Sequence, residues 1–151
     1  MDNDHEFHRK FAVDLFNLVW GYLDKPSRTV EENDTMLHAA HASRYHWEVV
    51  GAPLNLARGE WQVSRVYSVL KRPEPALYHA RRSLEICQQN DIGDFDLAFA
   101  YEALARASAV AGNPAETQTY LALARKAGDK IAEKDDRDLF FSDLGTIPVS
   151  P

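Results

Sequence analysis

The segment Leu56-Ala57-Arg58-Gly59-Glu60-Trp61-Gln62-Val63-Ser64-Arg65 returns 41 residues later as Leu97-Ala98-Phe99-Ala100-Tyr101-Glu102-Ala103-Leu104-Ala105-Arg106. Leu56, Ala57 and Arg65 recur as Leu97, Ala98 and Arg106, and further on Val69 and Pro73 recur as Val110 and Pro114. Residue classes agree between these identities: Gly59 with Ala100, Val63 with Leu104, Ser64 with Ala105, and Ala80 with Leu121. Small and apolar residues at three- and four-residue steps mark helix faces. A period of this length holds two helices and their turns, so the pattern predicts stacked helical hairpins rather than a closed bundle.

Working outward from this repeat, punctuation divides the whole chain into helices. Phe7, Phe11, Leu15, Leu18 and Tyr22 form one apolar stripe over about 5–23, which Pro26 ends. Thr29-Val30-Glu31-Glu32 reads as a capping box for a second helix that stops at Gly51. Pro53 opens the third helix, Pro73 and Pro75 the fourth, and Asn113-Pro114, with Glu116 behind, caps the sixth. The fifth spans about 94–111 and stops before Gly112. The sixth is expected to reach about Glu133, and a short seventh to hold Leu139, Phe140 and Leu144. Phe140 stands 41 residues after Phe99, where a further unit would begin. A helical stack leaves apolar faces at its ends, so Phe140 and Leu144 are expected to cap the fifth and sixth helices, or to meet a second copy with Phe141.

The third to sixth helices resemble tetratricopeptide-type helical repeats. Trp61, one place from the family's large position, is followed by Val63-Ser64 and Tyr67, then by Ala76, Ala80 and Ser83 in the partner helix. In the next unit Tyr101, Leu104-Ala105 and Ser108 match, then Thr117, Leu121 and Ala124. Gly112 falls at the family's turn glycine, where the earlier unit has Lys71. The repeat exceeds the usual length of about 34 residues. The resemblance covers roughly residues 54–128; the first helix leaves the register at Pro26. It implies a right-handed, all-α stack of about three hairpins with a short C-terminal capping helix. Residues 1–145 would form one domain and 146–151 a flexible tail. It also implies a non-enzymatic scaffold that takes a peptide, a partner protein or a small anionic ligand in a concave groove lined by the first helix of each pair.

Composition fits a single soluble domain. The chain has 151 residues, 45% hydrophobic and 26% charged, with a net charge of −6 and no basic cluster beyond Arg81-Arg82, which argues against nucleic acid or anionic membrane as partner. A lone cysteine, Cys87, excludes an internal disulfide, and the acidic start lacks a signal peptide's basic region; both fit a cytoplasmic setting. No apolar run is long enough to span a bilayer.

Two clusters carry possible chemistry. Along the groove, the repeat-related Arg65 and Arg106 are expected to project the same way beside Trp61, with Arg58 and Glu102 nearby. They would either clamp a carboxylate or phosphate, or pair with an acid such as Glu60 or Glu102 and tie helices together. On the second helix Asp34, His38, His41, Tyr45 and Glu48 form a polar stripe, displaced from the apolar stripe of Met36, Ala39, Ala40, Ser43, Trp47 and Val50. This stripe is either a solvated face or the centre of a metal site in which His38, His41 and Asp34 hold a transition metal such as zinc, in a metal-binding protein or a small metal-dependent enzyme. Its spacing is not that of a zinc peptidase, and neither a phosphate loop nor a nucleophile elbow is present. Cys87, on an apolar face, reads as a core residue.

Overall fold

The computed structural model describes residues 2–149, except the side chain of Asp2. Among them are seven helices and no strand: α1 (Asp2–Leu23), α2 (Val30–Val50), α3 (Pro53–Val69), α4 (Pro73–Gln89), α5 (Asp94–Val110), α6 (Pro114–Gly128) and α7 (Lys134–Leu144). The punctuation residues act as their chemistry requires. Thr29 Oγ1 accepts from Glu32 N at 3.1 Å while Glu32 Oε1 accepts from Thr29 N at 3.2 Å, so two otherwise orphaned amides at the start of α2 are satisfied. Asn113 Oδ1 accepts from Glu116 N at 3.1 Å at the start of α6.

The turns after α3 and α5 are one structure built twice. Arg72 N donates to Tyr67 O at 2.9 Å and Lys71 N to Ser68 O at 3.0 Å. At the repeat-related positions Asn113 N donates to Ser108 O and Gly112 N to Ala109 O, both at 3.1 Å. This is the pair of reversed bonds that closes a helix through a left-handed residue. Gly112 takes that conformation at φ 72°, and Lys71 is held in it at φ 59°.

Consecutive helices pack as hairpins, α1 with α2, α3 with α4 and α5 with α6, and each hairpin leans on the next through α2–α3, α4–α5 and α3–α5. Small residues permit the close crossings. Ser43, buried in α2, donates to Ala12 O at 2.7 Å, and Ser83, buried in α4, donates to Ala57 O at 2.9 Å. Each hydroxyl thus satisfies itself on the facing helix's backbone without needing space. The core follows the same faces: Val19, Met36, Ala39, Ala40, Val63 and Val66 between the first two hairpins, and Ala98, Phe99, Leu121, Ala124 and Phe140 at the far end.

The far end is closed by α7. Phe140 is fully buried and meets the Phe99 ring edge-on at 5.0 Å; Leu144 is also buried. The expected capping by Phe140 and Leu144 against α5 and α6 is what the structure has. Two boundaries differ from the sequence reading. The sixth helix ends at Gly128 rather than near Glu133, because Ile131 turns into the core and Asp94 Oδ2 accepts from Ala132 N at 3.1 Å. Thr146 and Ile147, expected in a flexible tail, are instead held by the fold. Ile147 is buried in the same cluster as Phe140, and Thr146 is hydrogen-bonded to Arg106. Ser150 and Pro151 lie outside the described residues. No described helix is long and apolar enough to cross a membrane.

Candidate functional site

Between α1, α3, α5 and α7 the chain leaves a cavity of about 480 Å³. Phe16 and Trp20 line it from α1, Trp61 from α3, Phe95 and Phe99 from α5, and Leu139 from α7. The rings form a continuous wall. Trp20 and Trp61 lie 5.6 Å apart, Trp61 meets Phe99 edge-on at 5.5 Å, and Phe95 and Phe99 are 4.6 Å apart. Such offset and edge contacts hold aromatic groups in fixed orientations. One rim carries Arg58, whose Nε and Nη2 donate to the two oxygens of Asp96 at 2.7 and 3.2 Å. That hydrogen bond raises the Arg58 guanidinium above its ordinary value, with burial acting against it.

Behind Trp61 lies a buried polar network centred on Glu102. This residue is wholly excluded from solvent and accepts from Trp61 Nε1 at 3.1 Å, Arg65 Nη1 at 3.2 Å and Arg106 Nε at 2.7 Å. Arg65 also grips Asp143 of α7 with two bonds, at 3.0 and 2.7 Å. Arg106 Nη2 reaches Asp143 O at 3.1 Å and Thr146 Oγ1 at 2.8 Å. Two guanidiniums face two carboxylates, so the cluster is neutral, and its hydrogen-bonding capacity is largely spent internally. Burial would lower the Arg65 guanidinium, but the bonds to Asp143 and Glu102 outweigh it and hold the group above its ordinary value.

The arginines therefore converge as their repeat relation implied, and of the two alternatives, anion clamp or helix-tying ion pair, their geometry is that of the second. Arg65 and Arg106 pair with Glu102 and Asp143 and tie α3, α5 and α7 together; neither lines the cavity. Glu102 is not a groove-facing group but the buried hub. Trp61 does stand on the cavity wall, and Arg58 on its rim.

The histidine stripe is displaced from the core as expected. Met36, Ala39, Ala40, Ser43 and Trp47 are buried, whereas His38 and His41 are exposed. The proposed ligand set does not assemble: His41 Nε2 bonds to Tyr67 OH at 2.8 Å and its ring meets that of His79, not His38 or Asp34. Among the described residues no group of three or more His, Cys, Asp or Glu side chains is placed to hold a metal ion. His79 turns Nδ1 toward Glu60 at 2.6 Å, and Glu60 also accepts from Arg44 Nε at 2.9 Å. Burial would raise the Glu60 carboxyl, but its bonds to His79 and Arg44 hold it below the ordinary range. Burial, then the neighbouring His79, lowers His41. Cys87 is a core residue, its thiol pushed up to about 11 by burial, and so protonated at neutral pH.

Sequence reasoning missed Asp143, and a signal for it was present. Trp61, Glu102 and Asp143 are successive positions in the 41-residue register, one per unit, and they meet in one cluster. Phe16 was missed because α1 lies outside that register. Its four-residue spacing from Trp20, away from Ala12 and Val19, marks a second face of α1.

No family model matches this chain, no curated protein matches it, and no solved structure matches it.

Proposed function

We propose that this chain is a non-enzymatic helical-repeat binding module, tetratricopeptide-like in its stacking of hairpins, which receives the apolar surface of a peptide or partner protein in the aromatic cavity. The observation that carries this reading is the cavity itself: about 480 Å³ lined mainly by six bulky apolar side chains from three hairpin-leading helices and α7. Concave apolar pockets with a few polar groups at the edge are the general form of a recognition site. A small anionic ligand fits less well, since Arg65 and Arg106 are already neutralised by Glu102 and Asp143. The network's role in this reading is to fix the wall, holding Trp61 by its indole N–H and α7 by Asp143.

Selection of random peptides on the immobilised protein tests the reading. Sequences rich in aromatic and aliphatic residues should be enriched. Leu139→Arg, a change at a 57% exposed rim residue, should reduce their binding by at least about tenfold, or about 1.4 kcal/mol. Enrichment that survives Leu139→Arg unchanged, or no enrichment, overturns it.

A further inference from the structure

We propose that the aromatic cavity is also a complete site for a free small molecule: an uncharged, largely planar ligand of about two rings with one hydrogen-bond donor. This rests on the reading of the cavity as the recognition site and adds the chemical class of its occupant. Three observations define that class.

The first is size. A volume of about 480 Å³ lies within the range of small-molecule pockets, about 300–1,000 Å³, and is more than one amino-acid side chain fills. The second is shape. Trp20, Trp61 and Phe99 contact one another in sequence rather than surrounding a central point. They make a wall against which a flat ring system can lie, not a cage that encloses a compact cation. The third is charge. The lining includes Arg58, Asp96 and Asp143, and each is already paired: Arg58 with Asp96, and Asp143 with Arg65. An ionic ligand would bring an uncompensated charge into an apolar cavity, which costs far more than a neutral polar group. A donor remains welcome, because the Asp143 carboxylate has lone pairs left after its two bonds from Arg65.

A second, smaller cavity of about 180 Å³ shares Phe16 and Arg58 with the first and is lined also by Asn17 and Asn55.

The probe is N-phenyl-1-naphthylamine, a neutral amine that joins two flat aromatic groups, a naphthyl and a phenyl, and fluoresces when desolvated. Titrated against the full chain, it should saturate at one site with a Kd on the order of 1–10 µM, with energy transfer from the cavity tryptophans. Leu139→Arg and Ser142→Trp, both on the exposed rim, should each weaken it at least about tenfold. Phe11→Ser, which removes an exposed ring of α1 that does not line the cavity, should leave it unchanged. A sulfonated anilinonaphthalene should bind at least about tenfold more weakly than the neutral amine. Four results overturn the proposal: no saturable site, affinity indifferent to both rim changes, loss with Phe11→Ser, or equal affinity for the sulfonate. If peptide selection succeeds and the probe fails, the site stands as a peptide site and the small-molecule class falls. If both fail, both readings fall.

Discussion

At one end of the array Phe140, Leu144 and Ile147 are buried, while at the other Phe7, Phe11 and Leu18 of α1 stand 56%, 47% and 44% exposed. Both ends meet the same difficulty, an apolar helix face that another element must cover. The C-terminal end has α7, a partial further unit that keeps the register, so Phe140 occupies the place that Phe99 has one unit earlier. Among the described residues no such element covers the N-terminal hairpin, and α1 spends its apolar residues in three directions. Ala12 and Val19 face the core, Phe16 and Trp20 the cavity, and Phe7, Phe11 and Leu18 the solvent. The difference teaches that a repeat residue's surroundings depend on whether a neighbour in register is present to meet it.

The sharpest way to break this comparison is to remove one ring from each end. Phe140→Ala leaves a cavity among Phe99, Leu121 and Ala124, and should cost about 3–5 kcal/mol in urea-induced unfolding. Phe7→Ala removes a ring that is mostly in water and should change stability by less than about 0.5 kcal/mol. Similar losses at the two sites would mean that the α1 face is covered in solution.

The next effect concerns the ionic cluster that fastens the closed end. Glu102→Gln keeps the shape but leaves Arg65 and Arg106 with one carboxylate between them in a buried place. Breaking one partner of a buried cluster typically costs about 3–5 kcal/mol; retained amide hydrogen bonds and the remaining Asp143 place this variant lower, at about 2–3 kcal/mol. The exposed Lys10–Asp14 pair of α1 is the counterpart at the open end, and Asp14→Asn there should cost less than about 0.5 kcal/mol. Thermal melts of the two variants would separate a structural cluster from a decorative one. A neutral Glu102→Gln would show that the network contributes nothing to fastening α7.

A smaller effect isolates the contact between α6 and α7. A Cβ at Gly128 would lie 2.4 Å from Cε1 and 2.7 Å from Cδ1 of Phe140, whose ring is locked in the core. Gly128→Ala should therefore destabilise by about 1–3 kcal/mol through overpacking, although alanine is the better helix former. At the other end Gly21, in α1, has nothing within 4 Å of such a Cβ, so Gly21→Ala should stabilise by a few tenths up to about 1 kcal/mol. Opposite signs from the same substitution would sharpen the contrast between a closed and an open end.

Much of this architecture is written locally in the chain. The Thr29 capping box, the prolines at the starts of α3, α4 and α6, and the buried stripe of α2 each follow from rules that act within a turn or two. The capping role of Phe140 was readable because its register partner, Phe99, was. The site was legible only in part. Trp61 and Arg58 were singled out as groove residues and do line the cavity. The convergence of Arg65 and Arg106 was readable too, and so was Glu102 as an acid that pairs with them; Asp143, which follows Trp61 and Glu102 in the 41-residue register, went unread because α7 was read only as a cap. Phe16 was hidden because nothing in α1 itself says that its second apolar face meets α5 and α7 across a gap. The stripe of Asp34, His38 and His41 shows why neighbours along a helix need not be neighbours in a site. His41 instead turns to Tyr67 on α3 and His79 on α4.

The smallest expected effect compares the two repeat-related turns, one nearer each end. Lys71 and Gly112 make the same reversed bonds and the same left-handed conformation, at φ 59° and 72°. A side chain in that region brings Cβ close to the following carbonyl and costs roughly 1–2 kcal/mol, a penalty glycine escapes. Glycine in turn gives the unfolded chain more freedom, which offsets part of the gain. The net expectation is that Gly112→Ala destabilises by about 1 kcal/mol and that Lys71→Gly stabilises by somewhat less, up to about 0.5 kcal/mol. A Cβ at Gly112 has nothing within 4 Å to collide with, so the loss at that turn would report conformational strain alone. The α3–α4 turn should therefore gain from the residue its repeat partner already has. If Lys71→Gly destabilises, then the lysine side chain contributes something at its own turn that the shared backbone geometry does not require, and the two units are less equivalent than their hydrogen bonds imply.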